Sequence, residues 1–450
     1  YQEGHKLKRI MIAGTGSGCG KTTIVCALLQ ALVDRKIKTA SFKCGPDYID
    51  PMFHRKVIGA ESYNLDSFFC YENTLKYLLK KGSREMSVIE GVMGFYDGLN
   101  GRGSSYEVSQ ITNTPVIIVI NARGMSESVG AVIKGFLEYQ QPNNIVGFIF
   151  NRLAESRVQF VKKLCGELGT EFLGHFPADS KIVVESRHLG LVTADEITDI
   201  KKRLEKLALA AEKYIRIDRI FELAESSELS FTPPVFAKKH NARVALSKDE
   251  AFCFFYPENV QLLEEMGAEV IPFSPLRDKK LPENIDGIIL CGGYPELYAD
   301  MISENTAMLR SVKDAVESGV PCIGECGGFM YLHDEFEDMD GSAHKGVGII
   351  HGRAFRTPRL KNFGYSIITA ERDNLLCKKG ESFPVHEFHY FDSNCCGDDF
   401  TAVKPGKSES RKCVNADMKL WAGFPHLYFY SRPELAENFL TACERFRKNG

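Results

Sequence analysis

Short apolar runs alternate with amphipathic stretches along most of this chain. Ile10-Met11-Ile12-Ala13-Gly14 is an apolar, β-prone run, and beyond a glycine-rich turn Val25, Leu28, Leu29, Leu32 and Val33 recur at helical spacing. Residues 38–44, 87–94, 115–121 and 145–152 read as further strands, with a helix over 126–139. Buried strands separated by helices make βαβ units, and hence a parallel, doubly wound sheet. Residues 201–225 read as one charged, amphipathic helix that closes this half.

A polar, proline-rich stretch over 226–241, with Thr232-Pro233-Pro234 and Lys238-Lys239-His240, interrupts the rhythm and reads as a linker. Alternation resumes with a strand at Ala242-Arg243-Val244-Ala245-Leu246, a helix over 257–267, strands over 269–273 and 287–291, and a helix around 306–318. The second half is therefore also α/β. Around residues 354–363 the pattern yields no element. Arg353, Arg356, Arg359 and Lys361 there either meet carboxylates of a ligand or solvate a loop.

Composition narrows the class of protein. Apolar residues at 44% and charged residues at 26% are those of a soluble globular chain, and 450 residues hold about two or three domains. A formal net charge of −3 gives no reason to expect nucleic acid as a partner. No apolar run approaches a membrane span; residues 116–120, after Pro115, are strand-sized. Tyr1-Gln2-Glu3-Gly4-His5 lacks a methionine and reads as an expression remnant, not a signal peptide. The 14 cysteines show no disulfide framework, which suggests a reducing cytoplasm. The adjacent pair Cys395-Cys396 has no ligand spacing nearby and reads as structural or incidental.

The first half carries phosphate chemistry. Thr15-Gly16-Ser17-Gly18-Cys19-Gly20-Lys21-Thr22-Thr23 lies between a strand and a helix, the setting of a phosphate-binding loop (P-loop). Gly16, Gly18 and Gly20 let backbone N–H groups close on phosphate oxygens, Lys21 neutralises β/γ-phosphate, and Thr22 can hold Mg²⁺. The strict pattern places glycine where Thr15 stands, so the loop is a variant. Gly45-Pro46-Asp47-Tyr48-Ile49-Asp50-Pro51-Met52-Phe53-His54 reads as a rigid turn at a strand end, where open α/β sheets place ligands. Asp47 and Asp50 either reach Mg²⁺ or simply stabilise the turn. Glu90, closing a strand before Gly91, is the stronger metal candidate, and Asp97 serves the same site or a turn. Asn151-Arg152-Leu153-Ala154 lacks the aspartate expected of a guanine site, which makes adenine the better reading.

The second half carries nucleophile chemistry. In Pro321-Cys322-Ile323-Gly324-Glu325-Cys326-Gly327-Gly328-Phe329 a strand runs into a cysteine between small residues and then into a helix, the pattern of a nucleophile elbow. Such a turn exposes the thiolate, lowers its pKa at the helix N-terminus and aims the next N–H at a developing oxyanion. Cys291-Gly292-Gly293 follows its own strand and offers a further oxyanion donor. His426 is the first choice of base, and His389 its rival.

Taken in order, GTGSGCGKTT, KCGPDYIDPMFH, VIEGVMGFYDG, DEAFCFFYPEN, SPLRD, GGYPELYA and GECGGFMYL resemble the cobyrinate a,c-diamide synthase family, more faintly through EFHYF and the His426 segment. The resemblance implies a P-loop, dethiobiotin-synthetase-like ATP domain over 6–225, a linker over 226–241 and a class I glutamine amidotransferase-like domain over 242–446. It implies ATP with Mg²⁺ on Thr22, Asp47 and Glu90, nucleotide contacts from Gly16, Gly18, Gly20, Lys21, Thr22, Thr23 and Asn151, and macrocycle contacts from Asp47, Tyr48, Asp50 and His54. In the other domain it implies Cys326 and His426 as catalytic residues, with oxyanion donors at Gly293 and Gly327. The implied reaction is amidation of the a and c carboxylates of cobyrinic acid through acyl phosphates, with ammonia from glutamine. A relative acting on nickel-sirohydrochlorin keeps the same chemistry, KCGPDYIDP argues against cobyric acid synthase, and a homodimer is compatible with the resemblance. The family's P-loop spaces its glycines as this one does. Class I amidotransferases generally carry an acid two residues after the histidine, where this chain has Tyr428. That departure leaves open a nucleotide-regulated binding protein whose amidotransferase-like half is inert.

Overall fold

The computed structural model describes residues 7–99, 101–177, 194–236 and 239–449. The start at residues 1–5 and Lys238 of the linker lie outside the described residues. The chain forms two compact units, Tyr1–Pro234 and Val235–Gly450.

The first unit is built on a seven-stranded sheet of β1 Lys8–Gly14, β2 Thr39–Cys44, β3 Glu61–Leu65, β4 Met86–Glu90, β5 Val116–Asn121, β6 Ile145–Leu153 and β7 Glu171–Pro177. Their order is β3-β2-β4-β1-β5-β6-β7, and every pairing is parallel. β1 and β5 are near-continuous apolar runs because helices cover both faces of such a sheet. Ile10 and Ile12 pack beneath Ile24, Leu28 and Leu32 of the helix Lys21–Asp34, which in turn meets Leu204, Leu207 and Ala211 of the helix Ala194–Tyr214.

Two expectations change here. The charged segment over 201–225 is two helices, Ala194–Tyr214 and Ile217–Leu223. Arg216 N–H bonds to Leu173 O and Ile215 bridges Gly174, so attachment to β7 interrupts the helical ladder. The turn after β2 is helical over Ile49–Phe53 and continues as a wider turn over His54–Ile58. Asp47 Oδ1 starts it by accepting from Ile49 N (2.8 Å) and Asp50 N (3.1 Å).

The strands of the second unit, in chain order, are β8 Arg243–Ser247, β9 Phe252–Phe254, β10 Glu269–Phe273, β11 Gly287–Leu290, β12 Gly292–Gly293, β13 Cys322–Glu325 and β14 His333–Glu337. They continue with β15 Ala343–Lys345, β16 Ile350–Ala370, β17 Ser382–Ser393, β18 Phe400–Val403, β19 Ser410–Cys413, β20 Asn415–Ala416 and β21 Leu420–Gly423. A central sheet runs β10-β8-β11-β13-β21-β20, parallel except at β20. A second sheet, mostly antiparallel, is built around the long β16–β17 hairpin. The segment that yielded no element is part of β16. Arg353 pairs with Glu337 (2.8 Å), Lys361 with Asp392 (2.9 Å), and Arg356 donates to Met339 O (2.8 Å). Register shifts between Arg356 and Gly364 break the alternation that marks a strand.

No helix among the described residues is long and apolar enough to cross a membrane. The cysteines are free thiols.

Leu290 is wholly buried in the core of the second unit, and Trp421 of β21, the one tryptophan of the chain, is also wholly buried. Leu290→Ala is expected to lower the stability of this unit by about 2–5 kcal/mol, read as an earlier urea midpoint of Trp421 fluorescence. An unchanged midpoint would contradict this account of the core.

Candidate active sites

The phosphate loop is shaped by where the chain must turn left-handed. Gly18 and Gly20 have φ of 74° and 103°, while Thr15 stays outside that region. Thr15 N–H still pairs with Val119 O at 3.1 Å, continuing β1, which explains why a β-branched residue is accepted there. Gly16 and Gly18 have open space where a Cβ would project. Lys21 Nζ donates to Gly16 O (2.8 Å) and Met93 O (2.5 Å), and burial lowers its pKa. Asn151 is brought to the loop from the end of β6, where its Nδ2 donates to Cys19 O (3.0 Å). A Cβ on Gly20 would lie 2.1 Å from that nitrogen, so the loop and β6 interlock through glycine. Thr23 follows Thr22 in the first turn of the helix.

At the ends of β2 and β4 stands a buried charge cluster. Thr22 Oγ1 donates to Glu90 Oε1 (2.7 Å). Lys43, which the sequence reading passed over, lies 2.8 Å from Glu90 Oε1, 2.7 Å from Asp50 Oδ2 and 3.9 Å from Asp47 Oδ2. Burial disfavours the Lys43 ammonium, but Asp50, Glu90 and Asp47 outweigh it and raise its pKa. Burial also raises Glu90, against the opposing pull of Lys43. At Asp50 burial is outweighed by Lys43 and the neighbouring imidazole, and the carboxyl lies below its ordinary range. Burial next to Asp50 raises Asp47. Glu90 Oε2 is buried without a hydrogen-bond partner, an acceptor suited to a hard cation. Tyr48 is the residue immediately before the helix that carries Asp50. His54 is 1% exposed, between Ser41 Oγ (2.9 Å) and Cys26 Sγ (3.8 Å), with its pKa pushed down by burial to about 4. That ring supports β2 from inside the unit and has no exposed face for a macrocycle. Asp97 Oδ2 accepts from Gly94 N (2.7 Å) and closes a turn.

In the second unit three adjacent parallel strands bring together the groups of the candidate nucleophile site. β13 pairs with β11 on one side and β21 on the other, with Leu290 opposite Gly324 and Gly423 opposite Glu325. Cys326 follows β13, Gly292-Gly293 follows β11, and His426 follows β21. Cys326 N–H bonds to Gly423 O (2.8 Å), and the residue takes φ 48°, ψ −102°, the strained turn of an elbow. A Cβ on Gly327 would lie 3.1 Å from Gly293 N, so these two backbone N–H positions are neighbours. A Cβ on Gly292 would lie 2.6 Å from His426 Cε1, so only glycine leaves room for the imidazole. His426 Nδ1 lies 3.5 Å from Glu325 Oε2.

Two groups considered for this site do other work. His389 Nε2 lies 3.0 Å from Glu387 Oε2 and Nδ1 2.6 Å from Phe391 O, with the ring stacked on Phe424 at 4.1 Å. Both its nitrogens are engaged within the second sheet. Tyr428 is buried edge-on to Tyr256, with ring centroids 4.8 Å apart. The expected lowering of the Cys326 thiol is reversed: burial, and then the Glu296 carboxylate, push it up to about 12, with the Gly327 N–H in partial opposition. The following helix, Gly327–Leu332, is too short to offset that burial.

Sequence comparisons assign each unit to a family of domains. Residues 10–191 match the model of the CobQ/CobB/MinD/ParA nucleotide binding domain. Residues 243–434 match that of the CobB/CobQ-like glutamine amidotransferase domain. The chain is thus a nucleotide-binding P-loop unit joined to a glutamine amidotransferase unit. A cobyrinate a,c-diamide synthase of Caldanaerobacter subterraneus subsp. tengcongensis is 39% identical over 97% of this chain and 98% of that protein. Those of Clostridium acetobutylicum and Priestia megaterium are 36% and 34% identical, covering 96% and 98% of this chain and 100% and 98% of their own lengths. The chain belongs to the cobyrinate a,c-diamide synthase family.

A thiol held at about 12 is protonated at neutral pH, and its reactive thiolate grows tenfold per pH unit below that value. In the substrate-free protein, iodoacetamide labelling of the Cys326 peptide should rise in this way from pH 7 to 10 without a plateau. A plateau by pH 8 would contradict the burial account.

Proposed function

We propose that this chain is an ATP- and glutamine-dependent ligase that amidates the a and c carboxylates of cobyrinic acid. The observation that carries this reading is the presence, in one chain, of a phosphate loop beside a buried Thr22–Glu90–Lys43 cluster and of a strained Cys326 elbow with His426 on the neighbouring strand end. The names of the relatives supply the substrate class.

In the first unit, Gly16, Gly18 and Gly20 present backbone to the phosphates of ATP, and Lys21 leaves its carbonyl partners for the β/γ-phosphates. Thr23 and Asn151 complete the nucleotide contacts. Thr22, Asp47 and Glu90 would hold Mg²⁺; Glu90 Oε2, buried and unpartnered, fits such an ion. When bound, the ion neutralises phosphate charge. A substrate carboxylate attacks the γ-phosphorus, ADP leaves, and ammonia displaces phosphate from the acyl phosphate to give the amide. Asp47, Tyr48 and Asp50 border the macrocycle.

In the second unit, the Cys326 thiol passes its proton to His426 and attacks the side-chain amide carbon of glutamine. Gly293 and Gly327 N–H groups stabilise the oxyanion. His426 returns the proton to the departing ammonia, and water then cleaves the thioester to glutamate.

Cys326→Ser is expected to lower glutamine-driven amidation by at least about 10³-fold while ammonium salts still drive it, since only the nitrogen source is lost. Loss of both activities in a folded sample would contradict the two-site scheme. Lys21→Ala is expected to lower both by at least about 10²-fold. A wild-type ammonia-driven rate in that variant would remove the phosphate-loop assignment.

A further inference from the structure

Where a class I amidotransferase places its acid, two residues after the histidine, this chain has Tyr428, a buried ring packed on Tyr256. A glutaminase histidine still needs a group that fixes its tautomer and favours its charged form. From the geometry we infer that Glu325, the residue immediately before the nucleophile, is that group. The inference rests on Cys326 and His426 forming the glutaminase site.

Strand register puts the carboxylate there. Glu325 is the last residue of β13 and lies opposite Gly423, from which the chain runs Phe424-Pro425-His426. Its Oε2 is 3.5 Å from His426 Nδ1, and the carboxyl also accepts from the Leu427 N–H. Catalytic hydrogen bonds are often this long before substrate binds. Both side chains are buried, at 9% and 2% exposure, so the pair interacts with little screening by water. Gly292 also borders the imidazole, where any larger residue would meet Cε1.

The consequence is chemical. With Nδ1–H donating to Glu325, Nε2 is the nitrogen left to accept the Cys326 proton. The imidazolium that forms then faces the Glu325 carboxyl, whose negative charge, disfavoured by burial, is supported by that imidazole and by the Leu427 N–H. Glu325 touches neither glutamine nor the reacting sulfur through this role, so it is a positioning residue that acts through His426. Elbow and acid are thereby consecutive residues, and the helper is delivered by the same strand as the nucleophile.

The test compares Glu325→Gln, which keeps shape and an acceptor oxygen, with Glu325→Leu, which keeps neither charge nor acceptor. Glutaminase turnover is measured with ATP, Mg²⁺ and the tetrapyrrole acid present. The expected result is a kcat fall of about tenfold for Glu325→Gln and about 10²-fold or more for Glu325→Leu, with the glutamine KM within about twofold of wild type. A Glu325→Leu kcat within about threefold of wild type overturns the inference, as does a rise in KM at constant kcat. Ammonia-driven amidation reports folding; if Glu325→Leu loses it, Glu325→Gln decides, and a kcat within twofold of wild type overturns the inference. Cys326→Ser in parallel separates this claim from its foundation. Glutaminase activity surviving in Cys326→Ser removes the site itself, whereas an inactive Cys326→Ser beside a fully active Glu325→Leu removes only the role of Glu325.

Discussion

One backbone hydrogen bond, from Cys326 N–H to Gly423 O, fixes the geometry of the candidate site in the second unit. It is the last rung between β13 and β21, and it holds Cys326 where the chain must reverse at a positive φ. Such a conformation costs on the order of 1–3 kcal/mol in a residue other than glycine, so the surrounding sheet must impose it. The same rung sets the distance along β21 at which His426 emerges, and register with β11 sets where Gly292-Gly293 emerges. The proposed nucleophile, base and oxyanion donors thus emerge from one alignment of three strands.

The first unit solves a different problem with the same architecture. Its ligands also belong at the carboxyl ends of parallel strands, but there the sheet must bury charge. Lys43 compensates Glu90 and Asp50 at 2.8 and 2.7 Å, and Thr22 ties that cluster to the phosphate loop. A buried ionic set of this kind is costly unless each member is paired, and Glu90 Oε2 is the atom left over. Among the described residues of this cluster, that buried oxygen is the acceptor that the proposed Mg²⁺ would satisfy.

Much of this could be read from the sequence because it is local. The strand, turn and helix around Gly14 to Thr23 declare themselves by period and by glycine, and the elbow at Cys326 by its small neighbours. What could not be read depends on register. Glu325 is unremarkable beside a cysteine until β21 is aligned with β13; Lys43 becomes part of a site only when β2 and β4 are adjacent. Asn151 is legible by its place at a strand end, and its Nδ2 bond to Cys19 O ties that strand end to the phosphate loop. The resemblance places His54 at the macrocycle, but the turn that continues the helix over Ile49–Phe53 carries its ring into the interior. The strand β16 hid because bulges and exposed charges erase its alternation.

The proposed reaction joins phosphate-driven activation of a ring carboxylate in one unit to ammonia made from glutamine in the other. The most direct measurement is mass spectrometry of the products from a panel of tetrapyrrole acids incubated with ATP, Mg²⁺ and amide-¹⁵N glutamine. The account predicts cobyrinic acid carrying two new amides, both labelled with ¹⁵N. Unlabelled amides, labelled amides only on a different macrocycle, or no product from a folded sample would contradict it.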